Sequence, residues 1–215
     1  MSKLEVTLID YGMGNLLSVR RALEHCGARV SVTSDPKEIL STPRLVLPGV
    51  GAFPDGMARL RRLGLDAVVR EIADSGVPVL GICLGMQMLF DESDEHDGAE
   101  GLGLIPGQVL AIPSLTVEGL PQKIPHIGWG SLQTSQSQES WSRGILRDIN
   151  IGDDTYFVHS FMAVPNNHHH RIADCLYGGH NISAVIGDAN GVGCQFHPEK
   201  SGEVGLKILR SFISQ

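Results

Sequence analysis

Cys83 stands in the stretch "GICLG", with Gly81 and Gly85 two residues away on either side. A thiol is a weak nucleophile at neutral pH unless a base or a helix N-terminus favours its thiolate. Glycines at the same offsets surround the serine of the G-x-S-x-G elbow, where a strained strand-to-helix turn projects the nucleophile. In that geometry the N–H of Leu84, just after the thiol, points to where negative charge develops on an attacked carbonyl. An isolated G-x-C-x-G suits a buried core cysteine equally well, because Cys is among the most buried residue types.

A second stretch weighs against the core reading. "CQFHPEKS" places His197 and Glu199 two apart across Pro198. Residues two apart in extended chain point the same way, so the pair has the form of a base and the carboxylate that orients it, the outer pair of a triad. A lone "HPE" reads as a surface turn; with Cys83 in the same chain the triad is the better reading. In "LPGVGAF" (residues 47–53), glycines after an apolar strand bring backbone N–H groups close to a ligand and could complete an oxyanion hole. "DYGMGN" (10–15) is glycine-rich too, but it lacks the Lys-Ser/Thr ending of a phosphate loop and the full G-x-G-x-x-G spacing, so no nucleotide site is expected. Three adjacent histidines in "NNHHH" (166–170) cannot converge on one metal from a strand or helix; no metal and no cofactor are expected.

The elements that must position these groups follow from the rest of the chain. Its 215 residues suffice for one sizeable core, and a single domain over 1–215 is expected. With 17 Lys and Arg against 24 Asp and Glu, the formal charge of −7 is the wrong sign for a general nucleic-acid or anionic-membrane binder. The N-terminus carries no export signal and no apolar run reaches membrane-spanning length. The four cysteines are scattered without a CxxC, so a reduced cytoplasmic setting is expected.

The first half alternates strand and helix: "LEVTLID", a helix from Asn15 to His25, "ARVSVT", a short helix at "SDPKEIL" capped by Ser34 or Asp35, "RLVLPG", an amphipathic helix over 65–76 and "VPVLGI". The last run is apolar without alternation, as suits a parallel strand covered on both faces. From residue 101 the pieces "GLGLIPGQVLAI", "KIPHIGWGSLQ", "TYFVHSFMAV" and "NISAVIGDANGVGCQF" read as hairpins and sheet additions, and "SGEVGLKILRSFISQ" as a capped helix. "DESDEHDGAEG" and "QTSQSQESWSRG" read as polar loops. The whole predicts an α/β fold: an open, doubly wound, mostly parallel sheet with added antiparallel hairpins and sites at the carboxyl ends of strands.

"PGVGAF", "GICLGMQMLF" and "QFHPEKS", in that order and spanning nearly the whole chain, resemble the class I, triad-type glutamine amidotransferases. Within that class, "DYGMGNLLSVRRALEHCG", "GLGLIPG", "IPHIGW" and "YFVHSF" resemble the glutaminase subunits of imidazole glycerol phosphate synthases of histidine biosynthesis. The resemblance implies that Cys83 attacks the carboxamide of glutamine, His197 shuttles the proton and Glu199 orients His197. It implies further that Leu84 N–H and the Val50-Gly51 backbone hold the oxyanion. Gln87 and Glu95 match positions that contact the glutamine head group, and His159 and Ser160 line the same pocket. The implied partner is a cyclase subunit with a (β/α)8 barrel, met as a heterodimer through Pro125, Ile127, Trp129 and Lys200. Gly130 stands where the family usually has Asn, and Phe161 where Tyr is common. These departures keep open a paralogue that feeds ammonia to a sugar amidotransferase of surface-polysaccharide synthesis. A peptidase or chaperone-like member of the wider fold and a non-catalytic binding module are the readings from other classes.

Overall fold

Apolar runs in the first half become parallel strands, and the amphipathic stretches between them become helices that cover both sheet faces. The structure is a computed structural model that describes residues 4–135, 140–141, 144–188 and 190–215. β1 (Leu4–Ile9) leads to α1 (Leu16–His25), β2 (Ala28–Thr33) to α2 (Pro36–Leu40), β3 (Leu45–Leu47) to α3 (Phe53–Arg62) and α4 (Leu65–Asp74), and β4 (Val79–Ile82) to the one-turn α5 (Leu84–Gln87). The starts of α1 and α2 are capped by the side chains of Asn15 and Asp35, with Pro36 at the first position of α2. Then follow β5 (Phe90–Ser93), β6 (Ala99–Glu100), β7 (Ile105–Ala111), β8 (His126–Thr134), β9 (Asp154–His159), β10 (Phe161–Pro165), β11 (Arg171–Tyr177), β12 (His180–Asp188), β13 (Gly191–Cys194) and α6 (Gly202–Ile213).

Among the described residues the strands form two sheets, ordered β2-β1-β3-β4-β13-β12-β11-β8-β9 and β10-β7-β5-β6. The members from β2 to β13 run parallel, and β12 onward is antiparallel. The open, mostly parallel sheet with antiparallel additions agrees with the pattern of the sequence. β4 is buried at every position and divides its side chains by alternation. Leu80 and Ile82 join Val19, Leu23, Leu209 and Phe212 under α1 and α6, whereas Val79 joins Met57, Leu60, Val69 and Ile72 under α3 and α4. Because β3, β4 and β13 are adjacent and parallel, their carboxyl ends release Pro48–Gly51, Cys83 and Gln195–His197 side by side.

Several elements differ from the sequence pattern. "TYFVHSFMAV" divides at Ser160, because β9 pairs with β8 in the large sheet while β10 pairs with β7 in the small one. "DESDEHDGAEG" is not a loose loop: it carries most of β5 and all of β6, with Gly98 at φ 84° in the turn between them. α3 and β11 have no counterpart in the sequence pattern. α6 starts without a side-chain cap; Ser201 instead accepts a bond from Tyr156 N–H and donates to His197 O. In "QTSQSQESWSRG", Gln133 and Thr134 belong to β8 and Trp141 is buried, while 136–139 and 142–143 lie outside the described residues. Among the described residues no helix is long and apolar enough to cross a membrane.

Candidate active site

β4 ends at Ile82 and α5 begins at Leu84, leaving one residue to reverse the chain. That residue, Cys83, has φ 53° and ψ −109°. A non-glycine residue held there stores of order 1–3 kcal/mol, sustained only when the surroundings over-determine it. Cys83 N–H donates to Cys194 O at 2.8 Å and Cys83 O accepts from Gln87 N–H at 3.1 Å. The flanking glycines are demanded by contact. A Cβ at Gly81 would lie 2.7 Å from Met86 N and Gly85 O, and one at Gly85 would run into the carbonyl of Leu47. Gly49 permits the third approach: a Cβ there would sit 2.9 Å from Gly85 N and Leu84 Cβ. The loop after β3 thus closes onto the elbow, and Leu84 N–H, first in its helix, has no acceptor within α5.

The chain leaving β13 delivers His197. Its N–H binds Tyr156 O at 2.9 Å, and its Nδ1–H donates to Glu199 Oε1 at 2.8 Å. The two side chains are 3% and 1% exposed. Burial opposes a charge on the ring, but Cys83 and Glu199 outweigh it and raise the His197 pKa to about 9. Among the described residues His197 Nε2 is buried with no hydrogen-bond partner. Extended chain was expected to align His197 with Glu199; instead Pro198–Lys200 forms a 3-10 turn that folds the carboxylate back onto the ring. Pro198 suits the first position of that turn.

Cys83 and His197 open onto a cavity of about 280 Å³, which Val50, Gly51, Leu84, Gln87, Glu95, Pro125, His159, Ser160 and Phe161 complete. Glu199 sits behind His197 rather than in the cavity wall. Gly51 has φ 107°, a value that favours glycine. Glu95 Oε2 accepts the N–H of Phe53, the first residue of α3, at 2.7 Å, tying the segment after β5 to the end of the loop after β3. Ile127 and Trp129 are outside the cavity, 51% and 59% exposed on one side of β8, and Lys200 is exposed near Glu199. Gly130 faces inward, where a Cβ would meet Cys175 Sγ at 2.5 Å.

Two participants escaped the sequence reading. Gln195 is fully buried; its Nε2 lies 3.8 Å from Cys83 Sγ and its Oε1 accepts from Gln87 Nε2 at 3.1 Å. Its place two residues before His197 was the available signal. Tyr11 is buried and donates to Pro48 O at 2.8 Å, so "DYGMGN" braces the loop after β3. Among the described residues, no cluster of three or more His, Cys, Asp or Glu could hold a metal ion, and His170 of the "NNHHH" run pairs with Asp188.

The strained Cys83, the His197 bonded to Glu199 and the backbone of Val50, Gly51 and Leu84 thus meet at one small cavity. Residues 7–215 match the family model "Glutamine amidotransferase class-I". The chain is 54% identical over 208 residues to imidazole glycerol phosphate synthase subunit HisH 1 of Legionella pneumophila (strain Lens), covering 97% of this chain and 98% of that one. It is 45% identical to subunit HisH of Geobacillus sp. (strain WCH70), covering 97% and 96%. Among solved structures, PurLQS from Thermotoga maritima shares the fold at a TM-score of 0.71 with 20% identity, covering 99% of this chain and 98% of that one. The glutaminase domain of Trypanosoma brucei CTPS with bound acivicin shares it at 0.62 with 14% identity, covering 98% and 94%. The chain belongs to the class I glutamine amidotransferases, in the branch of the HisH subunits of imidazole glycerol phosphate synthase.

Proposed function

We propose that this chain is the glutaminase subunit of an imidazole glycerol phosphate synthase, a cytoplasmic enzyme of histidine biosynthesis, with residues 1–215 acting as one amidotransferase domain. The observation that carries the reading is the convergence on one cavity of a strained Cys83 and a His197 backed by the buried Glu199.

In this reading Cys83 Sγ attacks the side-chain carbonyl of glutamine. Leu84 N–H and the Val50–Gly51 backbone take the charge that develops on oxygen. His197, protonated by the thiol and steadied by Glu199, gives that proton to the departing nitrogen; ammonia leaves and a glutamyl thioester remains. Water, deprotonated by His197, cleaves the thioester and releases glutamate. Gln87, Glu95, His159 and Ser160 hold the glutamine head group. Ammonia freed into bulk water would be protonated and lost as a nucleophile, so it passes to a cyclase subunit with a (β/α)8 barrel. That partner docks as a heterodimer on the face of Pro125, Ile127, Trp129 and Lys200. The cyclase uses the ammonia to convert a phosphoribulosyl-formimino-aminoimidazole-carboxamide nucleotide into imidazole glycerol phosphate and the aminoimidazole-carboxamide ribonucleotide.

Gly130, one of the two departures that kept a polysaccharide paralogue open, lies on the inner side of β8 against Cys175. Its smallness answers to local packing and not to the outer face that a partner would touch, so it does not count against the histidine pathway, which the 54% identity to a HisH subunit supports. The test is reconstitution with the cyclase. Cys83→Ala abolishes glutamine-dependent turnover and leaves ammonia-dependent synthesis intact; continued glutamine hydrolysis by that variant excludes Cys83 as the nucleophile.

A further inference from the structure

β8 alternates its side chains. Ile127 and Trp129 face outward, whereas His126 turns inward and is 4% exposed. Its ring stacks between Phe157 and Tyr177, with centroids 4.9 and 4.0 Å away. Across the β8–β9 pairing it stands opposite His159, and its Nδ1 lies 3.1 Å from His159 Nε2.

The direction of this bond can be deduced. His159 Nδ1 is 2.8 Å from Phe161 O, and a carbonyl only accepts, so His159 Nδ1 carries the hydrogen. Burial, with smaller contributions from His126 and His197, lowers the His159 pKa to about 4 despite the bond to Phe161. The ring is therefore neutral at pH 7 and its Nε2 is an acceptor. His126 Nδ1 must then be the donor. Phe161 O accepts a second bond at 3.1 Å from Gln87 Nε2, which also donates to Gln195 Oε1 at 3.1 Å. Both amide hydrogens of Gln87 are committed, leaving its Oε1 to accept from a ligand in the cavity that Gln87 lines.

We propose that His126 is a positioning residue for glutamine binding: by donating to His159 it holds the tautomer that binds Phe161 O, and that carbonyl orients the Gln87 amide. Without the donor at this place, His159 can carry its hydrogen on Nε2 and turn a lone pair toward Phe161 O. That contact is repulsive, and it falls on the carbonyl that Gln87 shares. The inference rests on the amidotransferase reading above and adds to it a residue outside the cavity wall.

Two variants separate the donor from the ring. In His126→Asn the amide nitrogen can occupy the place of Nδ1, and in His126→Gln the place of Nε2; both lose the stacking equally. In the complex with the cyclase, His126→Gln raises KM for glutamine about tenfold, the change expected when one ligand hydrogen bond is weakened. His126→Asn stays within about threefold of the parent, and kcat moves less than KM in both. Ammonia-dependent synthesis is unchanged in both. Equal KM values for the two variants, or a matching loss of ammonia-dependent synthesis, overturn the proposal. A parent complex that fails to turn over glutamine at all would instead overturn the amidotransferase reading, so the two failures are distinguishable.

Discussion

Gly85→Ala tests whether the elbow is held by backbone contact. The new Cβ would lie 2.8 Å from the carbonyl carbon of Leu47, against 3.4 Å or more in ordinary contact, and nearer still to its oxygen. Neither partner is a side-chain tip that can swing away, so β3 and α5 must part by more than about half an ångström. Overpacking of this kind costs about 1–3 kcal/mol. An alanine in an unobstructed helix would instead stabilise by up to about 1 kcal/mol over glycine. We expect a net loss of about 1–2 kcal/mol in urea unfolding. The parting also separates Leu84 N–H from the Val50–Gly51 backbone. Since a misplacement of about 1 Å can cost ~100-fold in rate, glutamine turnover by the complex falls at least about tenfold, while ammonia-dependent synthesis persists. A Gly85→Ala protein as stable and as active as the parent would refute the argument.

Two further outcomes follow from the same contacts. His197 is raised from 6.5 to about 9 in the folded protein, so its stabilising contribution is fully present below pH 6.5 and is lost as pH rises through 9. It amounts to no more than about 3 kcal/mol. In Glu199→Gln the neutral amide no longer supports the cation, and the fall in unfolding free energy between pH 6.5 and 9.5 shrinks; an equal fall in both proteins would remove Glu199 from the account. Gly130→Ala brings a Cβ within 2.5 Å of Cys175 Sγ and 3.2 Å of the Phe157 ring. It destabilises by about 1–2 kcal/mol alone, whereas Cys175→Ala in the same chain recovers most of that loss; simple additivity in the double-mutant cycle would show that the two sites do not touch.

How far the sequence could be read depended on the range of the forces involved. β4 was legible because an apolar run needs no partner to be recognised, α1 because its apolar residues recur at helical spacing before Gly27, and α2 because Asp35 and Pro36 act within one turn. Cys83, His197 and Glu199 were legible as candidates because glycine offsets and a His-Pro-Glu spacing are themselves local. α3 was hidden: its first turn, "FPDG", carries a proline and a glycine, and its N-terminal amide is satisfied by Glu95, remote in sequence, rather than by a capping side chain of its own. The same bond explains why "DESDEHDGAEG" read as a loop. Its carboxylates look solvated until β5 is laid parallel to β7 and Glu95 is brought to the end of α3.

The polar wall of the cavity marks the firmer limit, and it separates what a motif can say from what register must supply. Gln87 and His159 were placed near glutamine only by resemblance, and nothing local to "GMQML" or "FVHSF" states that they share an acceptor. They do so because β9 ends at His159 and β10 begins at Phe161, so the crossing between sheets leaves Phe161 O free of either ladder to receive both. His126 reaches that group through cross-strand pairing alone: a slip of one residue between β8 and β9 would turn it outward and put Ile127 inside. The outward Ile127 and Trp129 and the inward His126 are thus one decision of register. The strand that would face a partner is for that reason also the strand that sets His126 behind the cavity wall, against His159.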